Sequence, residues 1–389
     1  MVRIKFLIFL TVVCFIFFQG CVPHPPKRQG FFLLTSSQAS KVLSRLDIGL
    51  QGIEDWGQLN ATLSSTLRYL NRYPKRGFWV ENLYISTSRL KKTVEEMLKI
   101  LPQLDGDPSL LVKRFNWYEL VPETLFTGYF EMDIQASLSR DRVYKYPIYG
   151  LPSDLKRAYL GAFHPRWKGQ YLIYRIEGDH IRPYYSRREI DGEGAILHKA
   201  PIIAWAKDPV DVFFLQIQGS GRLILPDGTY KYIGYAGKNG RQYISIGRYL
   251  LKKGYISRGN ATLDGIMAFL KKHPKLVPQV LYRNPSYVFF RLLKDGPYGA
   301  MGVKLTPLLS LATDPRVLPL GSLLVFNVEV PVRGGRGYPL TGFGISQDVG
   351  GAITGNHVDL FFGQGEDARF MAGHMSNYGK IYLILAKEK

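Results

Sequence analysis

The sequence predicts a mainly β protein with flanking helices, and three observations carry that reading. After Pro122 the chain breaks into short runs rich in Tyr, Phe and Ile, punctuated by Gly and Pro, which is the texture of strands and turns. Before it, apolar residues recur at intervals of three and four along two stretches, the mark of amphipathic helices. Near the C-terminus, residues 347–363 set Asp348 and Asp359 on either side of a glycine-rich loop that no helix would tolerate.

Taken in order, Leu59, Leu63, Leu67 and Leu70 define a helix over residues 56–71. Leu90, Val94, Met97, Leu98 and Leu101 define a second, with Ser88 as its cap and Pro102 as its stop. Residues 126–131 and 146–150 open the strands. Within 208–221, Leu215 and Ile217 alternate with Phe214, Gln216 and Gln218, which predicts a strand with a row of amides on one face. Such a row suits a polyhydroxylated or N-acetylated ligand, and equally a solvated face. Pro226-Asp227-Gly228 predicts a hairpin turn. Thr262 caps a helix reaching Lys272, Pro274 separates it from a shorter one over 275–282, and residues 284–290 return to strand. Asp314-Pro315-Arg316 opens a turn. Residues 366–375 form a helix with Ala368, Met371, Ala372 and Met375 inward, and 381–385 a last strand.

A chain of 389 residues with 46% apolar and 13% aromatic content is globular, with one large core or two ordinary ones. Its 51 Lys and Arg outnumber 31 Asp and Glu, which favours an anionic partner: nucleic acid, acidic headgroups or a charged polymer. No zinc-finger spacing, Walker loop or one-sided Lys/Arg stripe supports nucleic acid, so that class is set aside.

Arg3 and Lys5 precede an apolar run over residues 6–18, the outline of a signal peptide spanning 1–20. Thirteen residues at ~1.5 Å each reach about 20 Å, short of the ~30 Å of a spanning helix. Gly20-Cys21 resembles the end of a bacterial lipobox, which makes Cys21 the lipid-bearing residue and 21–35, with Pro23, Pro25 and Pro26, a stiff tether. Phe18 and Gln19 depart from the small and branched residues usual there, so an uncleaved anchor stays an alternative. Cys14 and Cys21 are the only cysteines, leaving the mature domain without disulfide or catalytic thiol.

The chemistry concentrates on residues 357–362. A two-residue period turns Val358, Leu360 and Phe362 inward and sets His357, Asp359 and Phe361 on the other face. A carboxyl against an aromatic ring loses hydration and holds its proton to higher pH, as a general acid must. The same spacing also describes a polar residue on a wet strand face. His357 and Asp359 lack further ligands at metal-binding spacing, so neither metal nor cofactor is predicted. Ser220 in Gly219-Ser220-Gly221 lacks the spacing of a nucleophile elbow. Tyr129, Tyr146 and Tyr149 either close a barrel or offer platforms to sugar rings.

Seven segments, in order, resemble the membrane-bound lytic murein transglycosylase A family: Phe126-Thr127-Gly128-Tyr129, Tyr146-Pro147-Ile148-Tyr149, residues 216–221, 234–240, 284–290, Asp314-Pro315-Arg316 and residues 347–363. The resemblance implies a double-psi β-barrel catalytic domain (36–131 plus 293–389) with a smaller β-domain (132–292) inserted and a groove between them. It implies cleavage of the MurNAc–GlcNAc β-1,4 bond of peptidoglycan without water, leaving a 1,6-anhydro end. Asp359 would be the single catalytic residue, acid and then base, with Asp348 and Asp314 holding it and the sugar in place. Tyr129, Gln216, Gln218, Lys238 and Asn239 would line the groove. Tyr149, Gly219, Ser220, His357 and Phe361 complete the expected substrate contacts. Many members carry lysine where this chain has Thr354.

The expected partners are peptidoglycan glycan strands, the membrane through Cys21, and proteins of wall synthesis or division, with the chain itself a monomeric lipoprotein on the periplasmic face of the outer membrane. Two rivals stand beside this reading: a two-carboxylate hydrolase on the same barrel, and a non-catalytic module that binds or loosens the wall.

Overall fold

In the computed structural model, which describes residues 29–72 and 77–388, the chain order of helices and strands follows from local signals at most boundaries. The expected signal peptide, Cys14 and Cys21 lie outside the described residues. The expected tether ends sooner than residue 35: β1 (Gly30–Leu33) pairs antiparallel with β2 (Phe115–Val121), because Phe31 is apolar and 2% exposed.

The two N-terminal helices are α1 (Asn60–Arg72) and α2 (Thr87–Ile100), which pack on one another. A 3₁₀ turn, Trp56–Leu59, capped by Asp55, leads into α1. The cap of α2 is Ser86 rather than Ser88: its Oγ accepts from Arg89 N at 3.1 Å, and Ser88 already lies inside the first turn. Leu63, Leu70, Leu90, Val94 and Met97 are buried along the predicted stripes.

Six strands close on themselves. β3 (Thr124–Ser137), β9 (Ser310–Ala312), β10 (Leu323–Val330), β11 (Tyr338–Asp348), β12 (His357–Gln364) and β13 (Ser376–Ala386) pair in the cyclic order β13-β10-β11-β9-β12-β3, and β3 returns to β13. The β9–β11 and β12–β3 pairs are parallel; the others are antiparallel. Phe126 and Phe326 meet inside with centroids 5.8 Å apart, and Phe343, Ile345 and Leu383 fill the rest. Each such side chain contributes ~1.5–3 kcal/mol on burial.

β3 belongs to two sheets. Through Glu131 it pairs with β12; from Met132 it pairs parallel with β6 (Ser220–Ile224), which continues to β7 (Tyr230–Lys238) and β8 (Val288–Leu293). Its last residues also meet β5 (Ile202–Ala206), beside β4 (Tyr146–Tyr149). The turn between β6 and β7 holds the predicted Pro226-Asp227-Gly228. A separate three-stranded sheet comprises Lys156–Tyr159, Tyr171–Glu177 and His180–Pro183.

One expected strand is a helix. Residues 209–218 form α3 (Pro209–Gln218): Asp208 caps it, Pro209 takes the first turn, and Gly219 ends it at φ +80°. Val210, Val212, Phe213, Phe214, Leu215 and Gln216 are all buried, so the segment lacks a continuous polar face and its alternation of amides mimics a strand. Further on, α4 (Leu263–Lys272) begins at its Thr262 cap, and the shorter neighbour divides into a 3₁₀ turn Pro274–Leu276 and Val277–Leu281. Strand β8 starts at Val288 rather than 284. Helix α5 (Glu366–His374) lies over β3 so closely that a side-chain carbon at Gly128 would stand 2.7 Å from Ala372 Cα.

Candidate active site

Register brings the two carboxylates together. On β9, Ala312 stands opposite Asp359 of β12 and is paired with Asp348 of β11, so one small residue separates the strands that carry them. On the other side, parallel pairing sets Thr127 of β3 opposite Asp359 and Tyr129 opposite Phe361.

Asp348 and Asp359 differ in their partners. Asp348 Oδ1 accepts from Ala300 N and Val349 N, both at 2.8 Å, and its Oδ2 from the Tyr129 hydroxyl at 3.2 Å. Burial pushes its carboxyl up to about 6 against the pull of these donors. Asp359 Oδ1 lies 2.8 Å from Thr127 Oγ1, and among the described residues its Oδ2 takes no protein hydrogen bond. Burial beside Tyr129, Leu305, Ala312 and Phe361 pushes Asp359 up to about 7; the Thr127 contact opposes this and the Asp348 charge adds to it. Burial thus raises both carboxyls, against three hydrogen-bond donors at Asp348 and one at Asp359.

Asp314 lies elsewhere than expected. It is 4% exposed, outside the cleft, and clasped by Arg316 Nη2 at 2.7 Å and Nε at 2.9 Å, while Gly355 N donates to its Oδ2 at 2.8 Å. Burial works to raise it, but Arg316 and the two backbone donors outweigh that and hold its carboxyl below the usual range. It therefore ties down the glycine loop, with its charge neutralised, instead of adding an anion beside Asp359.

The carboxylates form the floor of a cleft of about 750 Å³, within the range of small-molecule sites. Its far wall comes from the end of α3, from β7 and β8, and from Arg187, Arg241 and Tyr243. Gln216, Gln218, Gly219, Ser220 and Lys238 line it. The amides do not form an open row, however. Gln216 Oε1 accepts from Arg187 Nη2, and Gln218 Oε1 accepts from Phe130 N at 3.0 Å, bracing the two walls.

Other expected contacts lie off the cleft. Tyr149 is 2% exposed in a cluster with Tyr184, Tyr287 and Phe289, where burial pushes its phenol up to about 12. The Asn239 side chain is consumed by Tyr185 O, Pro285 O and Tyr287 N, so it pins loops rather than meeting a ligand. Phe361 is buried against Tyr129, centroids 5.2 Å apart. His357 stands behind Asp359, its Nε2 2.9 Å from Thr127 Oγ1.

Sequence reasoning missed Thr127, Arg187 and Glu131. Arg187 is buried and donates to Asn284 O, Ser286 O and Gln216. Glu131, on β3 but not in the cleft, is pushed by burial up to about 7. Among the described residues there is no group of three or more His, Cys, Asp or Glu side chains suited to a metal, and no helix is long and apolar enough to cross a membrane.

Residues 125–291 match the family described as MltA specific insert domain, and residues 309–385 match the 3D domain, which contains Asp314, Asp348 and Asp359. The chain is 31% identical over 315 residues to membrane-bound lytic murein transglycosylase A of Vibrio cholerae, covering 77% of each chain. It belongs to the membrane-bound lytic murein transglycosylase A family. Solved structures of the family agree in fold. The membrane-bound lytic murein transglycosylase of Agrobacterium tumefaciens superposes with TM-score 0.74 at 28% identity, over 85% of this chain and 94% of that one. MltA from Neisseria gonorrhoeae gives 0.69 at 26%, over 95% and 97%. In this transglycosylase A chain the insert-domain match starts inside β3, seven residues before the strand changes sheets at Met132.

Proposed function

We propose that this chain is a peptidoglycan lytic transglycosylase in which Asp359 alone serves as acid and then base. The observation that carries the reading is a carboxyl that burial raises to about 7, its Oδ2 without a partner among the described residues, on the floor of a cleft with a basic far wall. Family membership supports the reaction class, since the relatives bear that activity in their names.

Asp359 gives its proton to the bridging oxygen of the β-1,4 bond as that oxygen leaves C1 with the bonding electrons. The carboxylate so formed takes the proton from the sugar's own 6-hydroxyl, whose oxygen bonds to C1 and closes the 1,6-anhydro ring. Asp359 ends protonated and no water is consumed. Asp348, whose charged form three donors favour against the pull of burial, faces the positive charge that develops at C1. A hydrolase needs a second carboxylate free to act as nucleophile or to activate water. Here Asp348 has both oxygens engaged and Asp314 is paired with Arg316. Lys238, Arg241 and Arg291 on the far wall suit carboxylated peptide stems.

The division into a barrel of residues 36–131 plus 293–389 and an insert of 132–292, and anchoring through Cys21 at the periplasmic face of the outer membrane, belong to the same proposal. Mass spectra of muropeptides released from sacculi test the chemistry. Products one water lighter than the hydrolysed species are expected, and hydrolysed ends alone would overturn it.

A further inference from the structure

We propose that Tyr298 is the ring on which one sugar of the glycan strand stacks, a binding platform beside Asp348 on the barrel side of the cleft. The proposal deepens the glycan reading above and rests on it.

Tyr298 belongs to a short hairpin over residues 297–305. It faces Lys304 in an antiparallel bridge, Gly299 N donates to Val303 O at 3.0 Å, and Leu305 N donates to Pro297 O at 2.9 Å. The turn of this hairpin is pinned to the end of β11. Ala300 N donates to Asp348 Oδ1 at 2.8 Å and Met301 N to Gln347 O at 3.2 Å. A side-chain carbon at Gly299 would stand 2.6 Å from Gln347 O and 3.2 Å from Asp348 Cβ, so the backbone next to Tyr298 lies directly against that strand. Tyr298 is thereby held in the lining of the cleft, beside its floor.

The phenol end is already committed. Its hydroxyl donates to Asp295 Oδ1 at 2.6 Å, and Asp295 Oδ2 lies 3.7 Å from Lys304 Nζ, the residue across the bridge. A hydroxyl has one proton to give, so Tyr298 offers a ligand no donor. What remains is the ring. It is 38% exposed, and among the described residues it meets neither another aromatic ring nor a cation. Exposed tyrosines elsewhere are covered: Tyr171 carries Arg157 at 3.8 Å, and Tyr255 stacks on Phe269. Tyr235, the exposed tyrosine of the far wall, has no hydrogen bond to its hydroxyl among the described residues, so its ring is not fixed in the same way.

A pyranose in a β-1,4 strand presents a face of axial C–H groups, and the negative face of a tyrosine ring receives them. A ring tethered at its hydroxyl and carried by a pinned hairpin has little freedom left to lose when it does so.

The test is calorimetric titration of the full-length chain with chitohexaose, a β-1,4 oligomer of N-acetylglucosamine. In Tyr298→Ala the affinity is expected to fall roughly two- to tenfold, whereas Tyr298→Phe and Tyr298→Trp, which keep a ring, retain most of it. A loss in Tyr298→Phe equal to that in Tyr298→Ala overturns the proposal, because the hydroxyl and the hairpin then matter and the ring does not. Unchanged affinity in Tyr298→Ala overturns the platform alone, while a native chain that binds no chitohexaose overturns the glycan reading and the platform with it. Should Tyr298→Ala not fold, nuclear Overhauser effects between the sugar C–H protons and the Tyr298 ring protons, assigned by their change in Tyr298→Phe, decide the matter: their presence supports the platform and their absence overturns it.

Discussion

The Tyr129 hydroxyl donates to Asp348 Oδ2 at 3.2 Å while its ring lies against Phe361, so one side chain both fixes the anion and dries the neighbouring acid. Tyr129→Phe keeps the ring and removes the donor. Asp348 then holds its proton to higher pH than about 6, and because the proposed mechanism needs it ionised beside the reacting carbon, the acid limb of the rate profile is expected to move up. The expected loss is on the order of tenfold at pH 5.5 and smaller at pH 8. A pH–rate series on sacculi measures it.

Asp359 is a stability liability above neutral pH. Its folded-state value is raised above its unfolded one, so the unfolded chain binds fewer protons between about 4 and 7, and stability falls as pH rises through that window. The rise from 3.8 to about 7 corresponds to at most about 4 kcal/mol once the group is ionised. Asp359→Asn should therefore raise Tm at pH 8 and leave it nearly unchanged at pH 4, as calorimetry at the two pH values would show.

Asp314 holds the glycine loop from below. Its folded-state value is lowered, so its stabilisation is present above the unfolded value and lost as pH falls through the folded one. Asp314→Ala frees Gly355 N and leaves Arg316 unpaired. The expected result is a kcat loss of about 10- to 100-fold with both limbs of the pH profile in place, together with faster proteolysis within residues 349–356.

Gln51 ties the N-terminal segment to the barrel. It is 5% exposed, its Oε1 accepts from Phe343 N at 2.8 Å, and its Nε2 donates to Phe343 O at 2.7 Å. Gln51→Leu leaves these backbone groups unpaired at a cost of ~1–3 kcal/mol each. Urea unfolding should show a lower midpoint, with activity per folded molecule preserved.

The site was legible where it is local. Asp348, Asp359 and the loop between them lie within one short stretch, and the period of His357 to Phe362 assigned the faces before any pairing was known. Thr127 was hidden because its partner arrives from 232 residues away through a parallel register that no nearby pattern encodes. The amides of α3 misled because a helix buried over most of its surface, with an isoleucine rather than a polar residue among its exposed positions, loses the 3.6-residue signature. Tyr149 and Asn239 misled for another reason: belonging to a motif does not say whether a side chain faces a ligand or the interior, and both turn inward.

Because β3 runs unbroken from beneath the acid into the opposite wall, the two banks of the cleft are mounted on one beam, with Gln218 cross-bracing it at Phe130. A displacement of either bank is therefore transmitted along the same strand to the other, through the backbone that passes beneath both carboxylates.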